Sequence, residues 1–429
     1  GLPVISIVHF SNAKSGIKAG DMQSIPFQRF LNALLILVGS LALATLVEVV
    51  IPMRLRGFWA ALRMIIDWIS RGLFGAWLLL TAPALALGLG LLMRRPAPAR
   101  RAALLMLLGA LPLALLCGSC AGRRADCEWR RLLPLAPEQM PLRETLREDI
   151  EVLANEIGPR NARSSHESLS RAADFIEGRL EQAGYAVRRD TYQPRRTGPG
   201  PCSNLEAELR GTRRPDDILV VGAHYDTAHG TPGADDNASA VAILLALAQA
   251  FSGRPAGITV RFVAFANEEP PFFQTADMGS LVYAKGCANR GERIRSMLCL
   301  EMLGCYSEEP RTQRYPSRIF GCVFPTTGHF VGVIGNTQSS ALASETASAL
   351  RAGGVPALSA ALPAPVTGVA WSDHWSFWKT GVPAVMLTDT AHFRNPRYHT
   401  EADTPDTLDY DRMAALANVL ERTIRKLAE

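Results

Sequence analysis

Among the eight cysteines only Cys117 and Cys120 have CxxC spacing, and no second such pair completes the ligand set of a structural zinc module, so a small metal-stapled fold is excluded. Basic and aromatic residues do not interleave in the carboxy-terminal two thirds, and the formal net charge is only +5, so no nucleic-acid groove is expected. Acidic residues are scarce across residues 1–120, where Leu, Ala and Gly dominate. Beyond about residue 138 the texture changes to the charge-interspersed mixture of a water-exposed globular domain. A chain of 429 residues exceeds the usual size of a single core, which fits a globular domain with an appended segment and a linker at residues 121–140. Cys127, Cys202, Cys287, Cys299, Cys305 and Cys322 lie in the globular part, an even set that suits either disulfides in an oxidising compartment or buried thiols.

The appended segment carries three apolar stretches, at residues 30–51, 73–93 and 102–119. The first two reach the roughly 20 residues a helix needs to cross a bilayer, so an α-helical hydrophobic membrane segment is expected to precede the globular domain. Arginine clusters flank them, including Arg94, Arg95, Arg100 and Arg101, which read as orientation signals. Residues 93–120 also have the form of a secretory signal, with a basic start, an apolar middle and a small-residue end. Cys120 is then a lipidation candidate, although Cys117 stands where an aliphatic residue is usual, which argues against it. Residues 1–92 are then either a membrane anchor or an upstream extension, and on either reading the domain at 141–429 lies outside the cytoplasm, in the cell envelope or beyond it.

Within that domain, residues 168–183 have helical apolar spacing, and residues 217–223 form an Ile-Leu-Val-Val run of buried-strand character. The alternation continues with helix 238–251, strand 258–266, a short helix at 279–284, strands 297–300 and 330–334, helix 340–351, strand 384–388 and helix 410–427. Continuous apolar strands separated by helices predict an α/β three-layer sandwich with a mainly parallel central sheet. Ligands in such sheets bind beyond the carboxyl ends of the strands.

The polar residues gather where that rule puts them. His224-Tyr225-Asp226 follows the first strand, Asn267-Glu268-Glu269 the next and Glu301 the third, while Gly233-Ala234-Asp235-Asp236-Asn237 enters a helix and Tyr398-His399-Thr400 comes near the carboxyl terminus. Imidazole and carboxylate suit zinc, which binds both at about 2.0 to 2.2 Å and keeps a position open for catalysis. Two ions sharing a carboxylate would sit about 3.5 to 4 Å apart around a nucleophilic water. Asp235, on the loop entering a helix, is the expected bridge, and Asp226, two residues after His224, is expected to hold the free imidazole N–H. Singly, His224 would read as a core histidine and Glu268-Glu269 as a solvated loop end; together they reverse those readings.

These segments, with Leu300-Glu301-Met302-Leu303-Gly304 and Ser372-Asp373-His374, resemble metallopeptidase family twenty-eight, the two-zinc exopeptidases that include bacterial leucyl-type aminopeptidases. The likeness runs over residues 150–429. It implies two zinc ions, one held by Asp235, Glu269 and His399 and the other by His224, Asp235 and Glu301, with Glu268 as general base. Glu301 departs from the Asp common in the family, and Pro270-Pro271-Phe272-Phe273 replaces a Gly-containing stretch. The resemblance implies a peptide substrate with a free amino terminus. Carboxypeptidase action or glutaminyl cyclisation on the same scaffold is the first alternative, and a non-catalytic receptor or scaffold domain the second. Loss of ligands would mark that last class, and none is lost. His229, His329 and His392 lack acidic company and read as ordinary; Trp371, Trp375, Phe377 and Trp378 read as core packing or as a pocket wall.

Overall fold

The computed structural model describes residues 139–195, 200–316, 320–322 and 324–429. The membrane segment, the signal-like stretch, Cys120, Cys127 and nearly all of the expected linker lie outside the described residues. Among the described residues no helix is long and apolar enough to cross a membrane.

The elements run α1 (Met140–Glu151), α2 (His166–Gln182), β1 (Val187–Tyr192), β2 (Cys202–Leu209), β3 (Arg214–His224), α3 (Ala240–Phe251), β4 (Ile258–Phe265), α4 (Gly279–Asn289), β5 (Arg293–Glu301), β6 (Val331–Gly335), α5 (Ser340–Ala352), β7 (Ala357–Ala361), α6 (His374–Trp378), β8 (Ala384–Thr388) and α7 (Tyr410–Leu427). One sheet holds all eight strands of the described residues, in the order β1-β2-β4-β3-β5-β8-β6-β7.

Helices cover both faces, as a three-layer sandwich requires. One face packs against α1, α2, α3, α5 and α7 in the larger core cluster. The other packs against α4 and α6 through Phe265, Tyr283 and Phe377. α3 is apolar all round because it lies between the sheet and its neighbouring helices, and nine of its residues are buried. α7 instead buries a stripe, with Met413, Leu416, Ala417, Leu420 and Ile424 at helical spacing.

The sheet is mixed, with four of its seven strand pairings parallel, those of β3 with β4 and β5, β5 with β8, and β6 with β7. β4, β3, β5 and β8 run parallel through the centre, but β1 and β2 add an antiparallel arm and β6 pairs antiparallel with β8. β1 and β2 were hidden in the sequence. β1 reads Val-Arg-Arg-Asp-Thr-Tyr, a half-buried edge strand whose arginines pair with Glu206, Asp174 and Glu177, and it lacks the apolar run of a central strand. Cys202, Cys287, Cys299 and Cys305 are free thiols, so these four take the buried-thiol reading over the disulfide one.

Candidate active site

Three parallel central strands deliver their polar residues to one edge. β3 ends on His224, β5 ends on Glu301, and the chain leaving β4 reaches Glu268 and Glu269 within four residues. All are buried: His224 is 1% exposed and Glu269 2%. Asn267, immediately before the glutamate pair, and His399 both hold positive φ, at 58° and 57°. Such backbone persists in non-glycine residues only where the surroundings over-determine it, as functional sites do.

The two histidines face one carboxylate. His224 Nε2 stands 3.4 Å from Asp236 Oδ1 and 3.3 Å from Glu301 Oε2. His399 Nε2 stands 3.2 Å from Asp236 Oδ2 and 3.1 Å from Glu269 Oε1. Among the described residues Asp236 therefore belongs to two of the three groups of side chains able to hold a metal ion, His224/Asp236/Glu301 and Asp236/Glu269/His399, while Asp235 falls in the third, with Cys305 and Asp389.

The bridging place expected for Asp235 is thus filled by Asp236. Asp235 turns away, accepting from Gly304 N–H at 2.9 Å and Asn395 Nδ2 at 2.7 Å. The reason is local backbone. The turn Ala234–Ser239 breaks helical geometry at Asp236 (φ −106°, ψ 85°) and Asn237 (φ −135°, ψ 29°), so adjacent aspartates project to opposite sides. Asn237 pins the break to the end of β5, donating to Leu300 O and accepting from Met302 N–H. Gly233 is required before it: its φ is 63°, and a Cβ there would lie 2.3 Å from Asp236 O.

Two further carboxylates hold the loops from behind, each accepting two successive backbone N–H groups. Asp226 receives Glu268 N–H and Glu269 N–H, both at 3.0 Å. Asp403 receives Asp235 N–H and Asp236 N–H at 2.9 and 3.1 Å. His224 Nδ1 bonds the Asp226 backbone carbonyl at 3.2 Å, with the carboxylate 3.5 Å away, so Asp226 backs the imidazole mainly through its main chain. Beneath both loops lies Arg160, fully buried, donating to the carbonyls of Tyr225, Leu153, Pro232 and Gly233. Burial pulls its pKa down to about 10, resisted by the charges of Asp403 and Asp226. Sequence reading passed over Asp236, Arg160 and Asp403. The only signal for Asp403 was its place four residues after His399.

Glu301 accepts from Ser372 Oγ at 2.5 Å, which gives the Ser-Asp-His segment a supporting part. His374 lies buried on the Trp378 ring, and its Nε2 donates to Val369 O at 2.8 Å. Phe377 is core, packed on Phe265 and Tyr283, whereas Trp371 is 45% exposed.

Crowding of acids dominates the electrostatics. Burial drives Glu268 well above the usual carboxylate range, offset by His224 and reinforced by Glu269 and Glu301. Burial likewise pushes Glu269 up to about 8. Burial lowers His399, but the facing carboxylates of Asp236 and Glu269 outweigh it and raise the imidazole to about 10. Buried like charges at such spacing need a compensating cation. His224 Nε2 and Glu269 Oε1, both buried, have no hydrogen-bond partner among the described residues, as expected of atoms shaped to coordinate an ion. Imidazole plus carboxylate is a donor set that zinc accepts. Glu268 belongs to neither group; its Oε2 sits 4.0 Å from His224 Nε2.

Comparison with known proteins agrees with this geometry. The family model for peptidase family M28 matches residues 204–424. The uncharacterized protein YfbL of Escherichia coli (strain K12) is 35% identical over 299 residues, covering 68% of this chain and 90% of that protein. Among solved structures, BSAP, a zinc aminopeptidase from Bacillus subtilis, superposes with a TM-score of 0.53 at 15% identity, over 70% of this chain and 97% of that one. The glutaminyl cyclase of Porphyromonas gingivalis gives 0.50 at 18% identity, over 66% and 98%. At those identities the solved structures establish a common fold alone, while the family model and the YfbL match carry membership: the chain belongs to peptidase family M28.

Proposed function

We propose that this protein is an aminopeptidase that removes residues from the free amino terminus of peptides, with two zinc ions held by His224, Asp236 and Glu301 and by Asp236, Glu269 and His399. The observation that carries the reading is Asp236, each of whose oxygens faces one histidine of the two groups. When bound, the metal ions would supply Lewis acidity for the scissile carbonyl and for the attacking water.

Everything else falls to the chain. Glu268 stands next to the ligand set without joining it, so it takes the proton of the attacking water and delivers it to the leaving amine. Its buried setting, which favours the protonated form, suits the second half of that task. Asp226 and Asp403 fix the loops that carry Glu268, Glu269 and Asp236, so little reorganisation accompanies the reaction. Ser372 holds Glu301 in place through its hydroxyl.

The apolar stretches at residues 30–51 and 73–93 support attachment to a membrane and a catalytic domain outside the cytoplasm.

The test is release from amino-acid anilides and from amino-terminally blocked peptides by the full chain, before and after chelation and with zinc restored. Zinc-dependent release from free but not blocked termini is expected. Cyclisation of amino-terminal glutamine without hydrolysis would replace the aminopeptidase reading by that of a cyclase.

A further inference from the structure

Beside the acidic cluster lies a cavity of about 260 Å³ whose mouth includes Glu301. Its floor is the sheet itself. Glu301 of β5 pairs with Thr388 of β8, Thr388 with Gly332 of β6, and Gly332 with Leu358 of β7, so these residues form one row across four strands. The next row on the same face continues through Met386, Ile334 and Ala360. The alternate residues, Val331 and Val333, point the other way into the main core.

We infer that this cavity receives the side chain of the amino-terminal residue being released, and that it selects large apolar and aromatic residues, with Gly332 setting the depth. The inference rests on the aminopeptidase reading.

Size is the first support. An apolar protein cavity of about 150 Å³ takes a benzene ring. The larger volume here accommodates a phenyl, indole or long aliphatic side chain and leaves an alanyl side chain surrounded by empty space. Depth is the second. Gly332 lies two strands over from Glu301, on the order of 10 Å at the usual strand spacing, a reach that small side chains do not span. Chemistry is the third. Phe320, Phe324 and Phe330 contribute aromatic walls. Gln313 is already engaged, donating to Thr390 and accepting from Arg394, and Thr388 Oγ1 accepts from Thr390 N–H. The charged lining residues are Glu301, already part of the acidic cluster, and Arg314, which is exposed, so a charged side chain reaching the apolar floor would leave water without a buried partner there. Trp371, 45% exposed and tilted 31° against His392 with ring centroids 5.4 Å apart, is one of the lining residues and leaves an aromatic face open to solvent.

Gly332 makes the inference testable at a position with room for a Cβ. A Cβ added there would meet nothing nearer than 3.4 Å, an ordinary contact, and a longer side chain would extend into the cavity.

Two measurements on the full zinc-loaded chain decide it. In the first, kcat/KM is compared across phenylalanyl, tryptophanyl, methionyl, alanyl, glutamyl and lysyl anilides for the parent, Gly332→Ala and Gly332→Leu. In the second, calorimetry follows binding of free L-phenylalanine, L-tryptophan and L-alanine to the same proteins, a readout that needs no turnover. The parent should favour the aromatic anilides over alanyl by tenfold or more and over glutamyl and lysyl by more. In Gly332→Leu the ratio of aromatic to alanyl kcat/KM should fall at least tenfold, with Gly332→Ala between. The amino-acid affinities should follow the same order. Equal binding of alanine and phenylalanine by the parent, or an unchanged order in Gly332→Leu, would overturn the pocket assignment. Aromatic binding that Gly332→Leu removes, without hydrolysis of any anilide, would keep the pocket and sink the peptidase reading instead.

Discussion

At the scale of the residue, the adjacent pair Asp235 and Asp236 divides two tasks that their shared chemistry does not separate. Asp235 is tied to Gly304 and Asn395, and Asp236 faces both histidines. Replacing Asp236 with Asn is therefore expected to cut bound zinc from both sites and reduce turnover by at least the 10²–10⁴-fold typical of a lost catalytic group. Asp235→Asn should retain most of its metal. Metal analysis of the two purified variants checks this, and equal losses in both would refute the division. Glu268→Gln should keep its zinc while kcat falls by about 10²–10⁴-fold, because only the proton carrier is removed. Parental turnover in that variant would rule out Glu268 as the base. Glu268, Glu269, His224, Glu301 and His399 were readable as a group in the sequence, since each follows or neighbours a recognisable strand end or motif. Which of two neighbouring aspartates faced inward was not readable, because a break in backbone geometry decides it and no periodicity records that break.

At the scale of the element, loops that carry charge must be held, and buried groups do the holding. Arg160 joins the end of α1's extension to the loop after β3 through main-chain carbonyls. Arg160→Met would leave several acceptors and nearby carboxylates uncompensated, so a loss of about 3–5 kcal/mol is expected. Denaturant unfolding measures it, and a loss below about 1 kcal/mol would show the guanidinium to be dispensable.

The short helix α6 supplies a pH dependence. Burial holds His374 down near about 4, only partly countered by its bond to the Val369 carbonyl. An unfolded histidine titrates near about 6.5, so between those values the unfolded chain binds the proton more readily. The contribution of His374 is therefore complete above about pH 6.5 and is lost as pH falls toward 4, by about 3 kcal/mol at most. His374→Leu should flatten the fall in stability between pH 7 and 4.5 relative to the parent. Matching slopes would exclude this histidine as the source.

The central strands and α7 were legible because their apolar patterns are long and unmixed. β7, Ala-Leu-Ser-Ala-Ala, was not, because its residues have weak strand preference and only pairing with β6 extends them.

At the scale of the whole molecule, the acidic edge of the sheet makes stability depend on cations. Zinc binds the folded arrangement, so free zinc at a hundred times its Kd should add about 2.7 kcal/mol for each site. The melting temperature should rise with zinc in the parent and stay nearly level in Asp236→Asn. A zinc-independent parent would contradict the assembled site.

The sequence by itself determined the α/β alternation, the end of the sheet at which the site lies, and the residue types that gather there. Those features follow from hydrophobic period and from motifs placed just past strands, both of which are local. The tertiary structure alone decided that Asp236 and not Asp235 stands between the histidines. It also decided that the sheet turns antiparallel at its flanks, that Arg160 and Asp403 serve the site from far along the chain, and that Gly332 opens a cavity beside Glu301. Each of these depends on groups brought together across strands or loops, where the deciding forces are hydrogen-bond satisfaction and packing between distant segments, and nothing in the linear order of residues records which segments will meet.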